Sequence, residues 1–175
     1  ANALPPGENG RILECYEKGY ELAKKVGHVR WVSWLGTALS GMFIGMGSMN
    51  RALLLAEESE KLSRKTDDLV NLEISRENVG FIYHILGEWD KGEQYLKEAF
   101  ALSQKGNNTQ SIFRSCGYLG WSYYDRGEYA KAKECFEKMS EIDEKRGKAV
   151  QMSDYQWIAM NCIELSEIGK ARALL

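Results

Sequence analysis

Tyr-Glu-Leu-Ala-Lys-Lys at 20–25 returns as Glu-Lys-Leu-Ser-Arg-Lys at 60–65, Phe-Ala-Leu-Ser-Gln-Lys at 100–105 and Ser-Glu-Ile-Asp-Glu-Lys at 140–145, each time 40 residues on. Leu22, Leu62, Leu102 and Ile142 share one register, and Lys25, Lys65, Lys105 and Lys145 share another. Gly47, Gly87 and Gly127 recur at the same spacing. Each falls where one helical pattern stops and the next starts, the position of a helix C-terminal cap. Self-similarity at a fixed period of this size marks a solenoid. One unit cannot cover its own apolar stripe, so it buries that stripe against its neighbours.

Between these marks the spacing is helical. In 116–136, Cys116, Leu119, Gly120 and Tyr123, then Tyr129, Ala132 and Phe136, recur at steps of three and four, which puts each group on one helix face. Nine helices are expected, at 9–25, 29–46, 49–66, 69–86, 89–106, 110–126, 129–146, 150–165 and 168–175. Their connections are short, so neighbours run antiparallel. The only prolines are Pro5 and Pro6, so residues 1–8 read as an extended lead-in and nothing beyond them is barred from a helix interior. The fold class is therefore all-α, a solenoid of antiparallel helix pairs over 9–175. The chain starts without methionine and stops within a helical pattern, so it reads as a piece of a larger protein. The apolar face of Leu174 and Leu175, cut off from the rest of its unit, offers a route to self-association.

Composition narrows the function. A formal net charge of −2 with 27% charged residues does not supply the clustered positive charge that a nucleic-acid surface needs. Trp31 to Asn50 carries no charge and is long enough to span a bilayer. Ser33, Thr37, Ser40, Ser48 and four glycines lower its hydrophobicity, however, and it fits the repeat register, so it reads as a buried helix and no membrane is expected. Cys15, Cys116, Cys135 and Cys162 form no C-x-x-C pair and read as reduced thiols of a cytoplasmic protein, without metal. The two histidines, His28 and His84, lie more than one repeat apart, and no nucleophile elbow, phosphate loop, zinc helix or dinucleotide fingerprint occurs. No catalytic residue, cofactor or enzyme activity is expected. His28 shares a register with Asp68 and Asn108 and reads as a helix N-cap.

Gly-Tyr-Leu-Gly-Trp-Ser-Tyr-Tyr-Asp-Arg-Gly-Glu-Tyr-Ala-Lys-Ala-Lys-Glu-Cys-Phe at 117–136 resembles a tetratricopeptide repeat. The family's pattern falls on Leu119, Gly120, Tyr123, Gly127, Tyr129, Ala132 and Phe136. The unit before it matches through Val79, Gly80, Tyr83, Gly87, Trp89 and Ala99, and departs at Gly92 and Leu96. The preceding unit matches through Leu39, Phe43, Gly47, Met49 and Ala52, with Ser40 in place of the glycine. A C-terminal unit follows it weakly through Ala159, Cys162, Ile168 and Ala171. The period of 40 exceeds the family's usual 34, which implies longer helices.

The resemblance implies a right-handed superhelical solenoid with a concave groove lined by the first helix of each pair. In one unit the groove residues are Trp34, Thr37, Gly41 and Ile44; in the next they are Ile74, Glu77, Asn78, Phe81, His84 and Ile85. The third supplies Arg114, Gly117, Tyr118, Trp121, Tyr124 and Asp125, and the last supplies Ser153, Gln156, Trp157, Met160 and Glu164. Asn78 matches the asparagine with which some family members hold a peptide backbone. Arg114 is the one positive groove residue, so the family's basic clamp for a terminal carboxylate is absent. Such an aromatic wall implies a protein-interaction scaffold whose partner is a helical or hydrophobic protein or peptide segment. The alternative is a ligand-sensing or autoregulatory segment of a larger signalling or transcriptional regulator. An open groove favours the first, a closed pocket the second.

Overall fold

The computed structural model describes residues 8–145. They form seven helices and, among the described residues, no strand: α1 (Glu8–Lys25), α2 (Val29–Gly45), α3 (Met49–Lys65), α4 (Leu69–Ile85), α5 (Trp89–Lys105), α6 (Thr109–Asp125) and α7 (Tyr129–Lys145). Every end lies within one residue of the periodicity reading. Residues 1–7, the helices expected at 150–165 and 168–175, and with them Trp157, Cys162, Leu174 and Leu175, lie outside the described residues.

The turns follow one rule. Each three-residue link has its middle residue in the left-handed region: Gly27, Gly47, Asp67, Gly87, Asn107 and Gly127, with φ between 49° and 82°. Glycine adopts this conformation at no steric cost, and Asp and Asn tolerate it better than other residues. The next backbone N–H then reaches back five residues, Ser48 to the Phe43 carbonyl at 2.9 Å, Glu88 to Tyr83 at 2.9 Å and Glu128 to Tyr123 at 2.8 Å. This satisfies carbonyls that the helix end leaves open. In alternate links the following side chain caps the next helix. His28 accepts from the Trp31 N–H at 3.4 Å, Asp68 from Asn71 at 3.1 Å and Asn108 from Ser111 at 3.2 Å. The register of the three expected caps is thus the register in which they work.

Consecutive helices pack antiparallel. The even-numbered helices also touch one another, α2 on α4 and α4 on α6, whereas no two odd-numbered helices pack to a similar extent. The even helices therefore form the shorter, inner wall of the solenoid. The core runs between the layers as Leu39, Phe43 and Ala52, then Ala56, Val79 and Tyr83, then Leu96, Cys116, Leu119, Ala132 and Phe136. The leucine that reveals the repeat is not its most buried position. Leu22 is exposed on α1, while Ala23, Ser63, Ser103 and Asp143 are buried in every unit. No helix among the described residues is long and apolar enough to cross a membrane.

The departure at Gly92 has a steric reason. A methyl group at Gly80 would stand 3.0 Å from the Gly92 carbonyl oxygen and 2.8 Å from Leu96 Cγ, and one at Gly92 would stand 2.8 Å from the Gly80 carbonyl oxygen. Here α4 and α5 cross backbone to backbone, with Leu96 filling the space that the Phe136 ring takes against Gly120 one repeat on. Gly41, by contrast, has nothing within 4 Å of an added methyl. Gly80→Ala is expected to destabilise the fold by about 1–3 kcal/mol, the cost of overpacking. Gly41→Ala should stabilise it by up to about 1 kcal/mol through helix propensity. Urea unfolding of both variants checks this, and equal effects would contradict the crossing geometry.

Candidate functional site

The inner wall is built outward from the middle of α4. Glu77 is fully buried there and accepts hydrogen bonds from Arg114 and Ser115 of α6. Arg114 also reaches Glu73 at 3.3 Å. One arginine thus serves two buried carboxyls. Burial pushes the Glu77 carboxyl up to about 7, outweighing the opposing pull of Arg114 and Ser115. Burial also raises Glu73, against bonds from Ser111 and Arg114. The next residue, Asn78, points the other way and donates to the Thr37 carbonyl of α2 at 3.1 Å. Asn71 donates to Ser33 and Ser63 at 2.6 and 2.9 Å, and the Trp34 indole donates to Asp68 at 2.8 Å. His84 Nε2 meets Asp125 at 2.8 Å. These bonds join helices of successive units.

Above this polar layer lies an aromatic one. The Phe81 ring centre is 4.7 Å from Tyr118, 5.8 Å from Trp121 and 6.3 Å from His84. Tyr118 meets Trp121 edge-on at 6.3 Å. Offset and edge contacts at these separations are the favoured aromatic geometries. Where α4 and α6 end, Phe81, His84, Ile85, Trp89, Trp121 and Asp125 line a cleft of about 450 Å³. On α2 the wall is apolar and open. Gly41 and Gly45 present bare backbone, and Trp31 (58%), Trp34 (38%) and Met46 (60%) are exposed.

The expected groove residues therefore divide. Phe81, His84, Trp121, Ile85 and Asp125 converge on the cleft, with Tyr118 against Phe81. Trp34 and Gly41 lie apart, on α2, and Tyr124 turns to Tyr129 at 5.4 Å. Thr37, Glu77, Asn78 and Arg114 hold the wall together: Thr37 and Asn78 are buried, and the Asn78 amide is bonded to α2, not held out toward a peptide. Ser153, Gln156, Trp157, Met160 and Glu164 lie outside the described residues. Trp89 was not expected in the groove. Its position at the start of α5 reads as the turn aromatic of its unit, yet it leans over the cleft. Cys116 and Cys135 pack in one cluster, where burial raises their thiols to about 11 and about 12. Thiols so raised stay protonated and inert.

An inner wall of equivalent helices, joined by polar bonds and faced with aromatic rings, defines a helical-repeat scaffold. The tetratricopeptide repeat family model matches residues 71–145. BtubC (BKLC) from P. vanneervenii has the same fold at a TM-score of 0.80 and 17% identity, over 97% of this chain and 71% of that one. The apo form of RapI matches at 0.76 and 15% identity, over 95% of this chain and 47% of that one. MamA matches at 0.66 and 18% identity, over 98% and 91%. Identities this low carry the fold alone. No curated protein matches the chain in sequence.

The buried carboxyl sets a pH dependence. Glu77 holds its proton up to about 7 in the folded chain against an ordinary 4.5. Between those values the unfolded chain has lost a proton that the folded chain keeps, so stability falls as pH rises through the window. The contribution is roughly 3 kcal/mol at most. Denaturant unfolding at a series of pH values should show this slope, and Glu77→Gln should flatten it. An unchanged slope in the variant would contradict the assignment.

Proposed function

We propose that the array is a protein-interaction scaffold whose inner wall binds an apolar or amphipathic segment of a partner across α2, α4 and α6. The observation that carries this reading is the wall itself. Asn78, His84, Glu77 and Arg114 are bonded within the array, while its aromatic and aliphatic surface and the backbone at Gly41 and Gly45 stay accessible. A helix such as α2, uncharged from Trp31 to its end, leaves an apolar face for a partner to cover. Rigid aromatic anchors on regular helices suit such a segment, because little side-chain entropy is lost on binding. The cleft between α4 and α6 opens to the surface at Ile85, Trp89 and Asp125, which favours a segment lying along the wall over an enclosed small ligand.

Trp121 is the central residue. Segments selected from a peptide library against the chain and titrated by calorimetry should lose about 2 kcal/mol of affinity on Trp121→Ala, the scale of a buried aromatic anchor. The core change Leu119→Ala should instead lower stability by about 2–5 kcal/mol. A folded Trp121→Ala protein that binds the segment normally would remove the central residue from the proposal.

A further inference from the structure

The cleft at the ends of α4 and α6 has a chemistry of its own. Three aromatic residues, Phe81, Trp89 and Trp121, border it together with one carboxylate, Asp125, whose side chain is 55% exposed. His84 lines it too and is 6% exposed. Because a carboxylate only accepts, Nε2 of His84 carries the hydrogen in its 2.8 Å contact with Asp125. The other ring nitrogen, Nδ1, is buried and has no hydrogen-bond partner.

The electrostatics agree. Ile85 and Asp125 are the last residues of α4 and α6, so two helix C-terminal ends bring partial negative charge to the cleft, and the single N-terminus of α5 at Trp89 offsets only part of it. The next residue along the chain, Arg126, is held by Asp90 at 3.2 Å, by Glu128 at 3.0 Å and by Glu93, and does not pair with Asp125. Aromatic faces and a carboxylate in one cleft call for a planar cation rich in donors. A guanidinium stacks on indole rings and forks onto a carboxylate, whereas an ammonium is a compact, strongly hydrated point charge. The volume of 450 Å³ leaves room for the group and its methylene stem.

We infer that this cleft receives an arginine side chain of the bound segment, the guanidinium lying against Trp89 and Trp121 and bonding Asp125. The inference rests on the inner wall being the binding surface and adds the charge that one position of the partner must carry. It predicts that segments taken up by the wall pair an apolar stretch over α2 with an arginine near the ends of α4 and α6.

The test uses the indole N–H signals of Trp89 and Trp121 in a nuclear magnetic resonance titration with three probes: N-acetyl-arginine amide, N-acetyl-lysine amide and N-acetyl-citrulline amide. The arginine probe should shift both signals saturably, at a Kd on the order of millimolar for one isolated side chain. The neutral citrulline probe, of the same shape, should bind at least about tenfold more weakly, and the lysine probe should fall between them. Asp125→Asn should weaken the arginine probe about tenfold with the melting temperature held, and Trp89→Ala should weaken it independently. Equal binding of citrulline overturns the role of charge, and equal binding of lysine overturns the choice of guanidinium. If no probe shifts either indole while a selected segment still depends on Trp121, the inference falls and the groove stands.

Discussion

The carboxyl of Glu77, sealed in the middle of α4 and held by Arg114 and Ser115, is the joint on which the inner wall depends. Asn78, the next residue, reaches the opposite neighbour at the Thr37 carbonyl. Adjacent positions on a helix point about 100° apart, so one helix grips the unit before it and the unit after it with consecutive side chains. Such contacts add little net stability, because desolvating a carboxyl offsets most of what its partners return. They do penalise any slip between units, since a slipped helix would leave a buried carboxyl or amide without a partner. The apolar core between layers is tolerant of small shifts by comparison, so the polar bonds fix the stagger of the array.

That division of labour shapes what the wall can offer a partner. Polar groups in the first helices are taken up within the array, and what remains at the surface is aromatic rings, aliphatic side chains and the bare backbone of α2. The asparagine that the family resemblance assigns to a peptide backbone is here a structural bond between repeats. On the proposed reading, recognition comes from shape and apolar area along the wall, with Asp125 and His84 as the polar features at one end of it.

Much of the fold was legible because the repeat is carried by features with a local cause. A glycine at Gly47, Gly87 or Gly127 marks a left-handed link wherever it stands, and His28, Asp68 and Asn108 announce helix starts through their own side chains. At Asp67 and Asn107 no glycine marks the link, so the helix register alone placed the break there, and their left-handed conformation shows a turn period of 20 inside the sequence period of 40. The wall was legible as a set of positions but not as a set of partners. Whether Asn78 or Arg114 faces solvent depends on helices roughly 40 residues away, and no local pattern reports that. Gly92 looked like a departure from the family because its cause, the Gly80 backbone, lies on another helix. Trp89 looked like a turn residue because its lean over the cleft follows from the crossing of α4 and α5.

The central claim is that partners engage the inner wall of even helices and not the outer layer. Hydroxyl-radical footprinting of the chain with and without a bound segment measures this residue by residue. The account predicts that oxidation of Trp34, Met46 and Trp121 falls on binding, while Leu54 of α3 and Tyr95 of α5, in the outer layer, react as before. Protection of Leu54 and Tyr95 with Trp34 and Trp121 unchanged would contradict it.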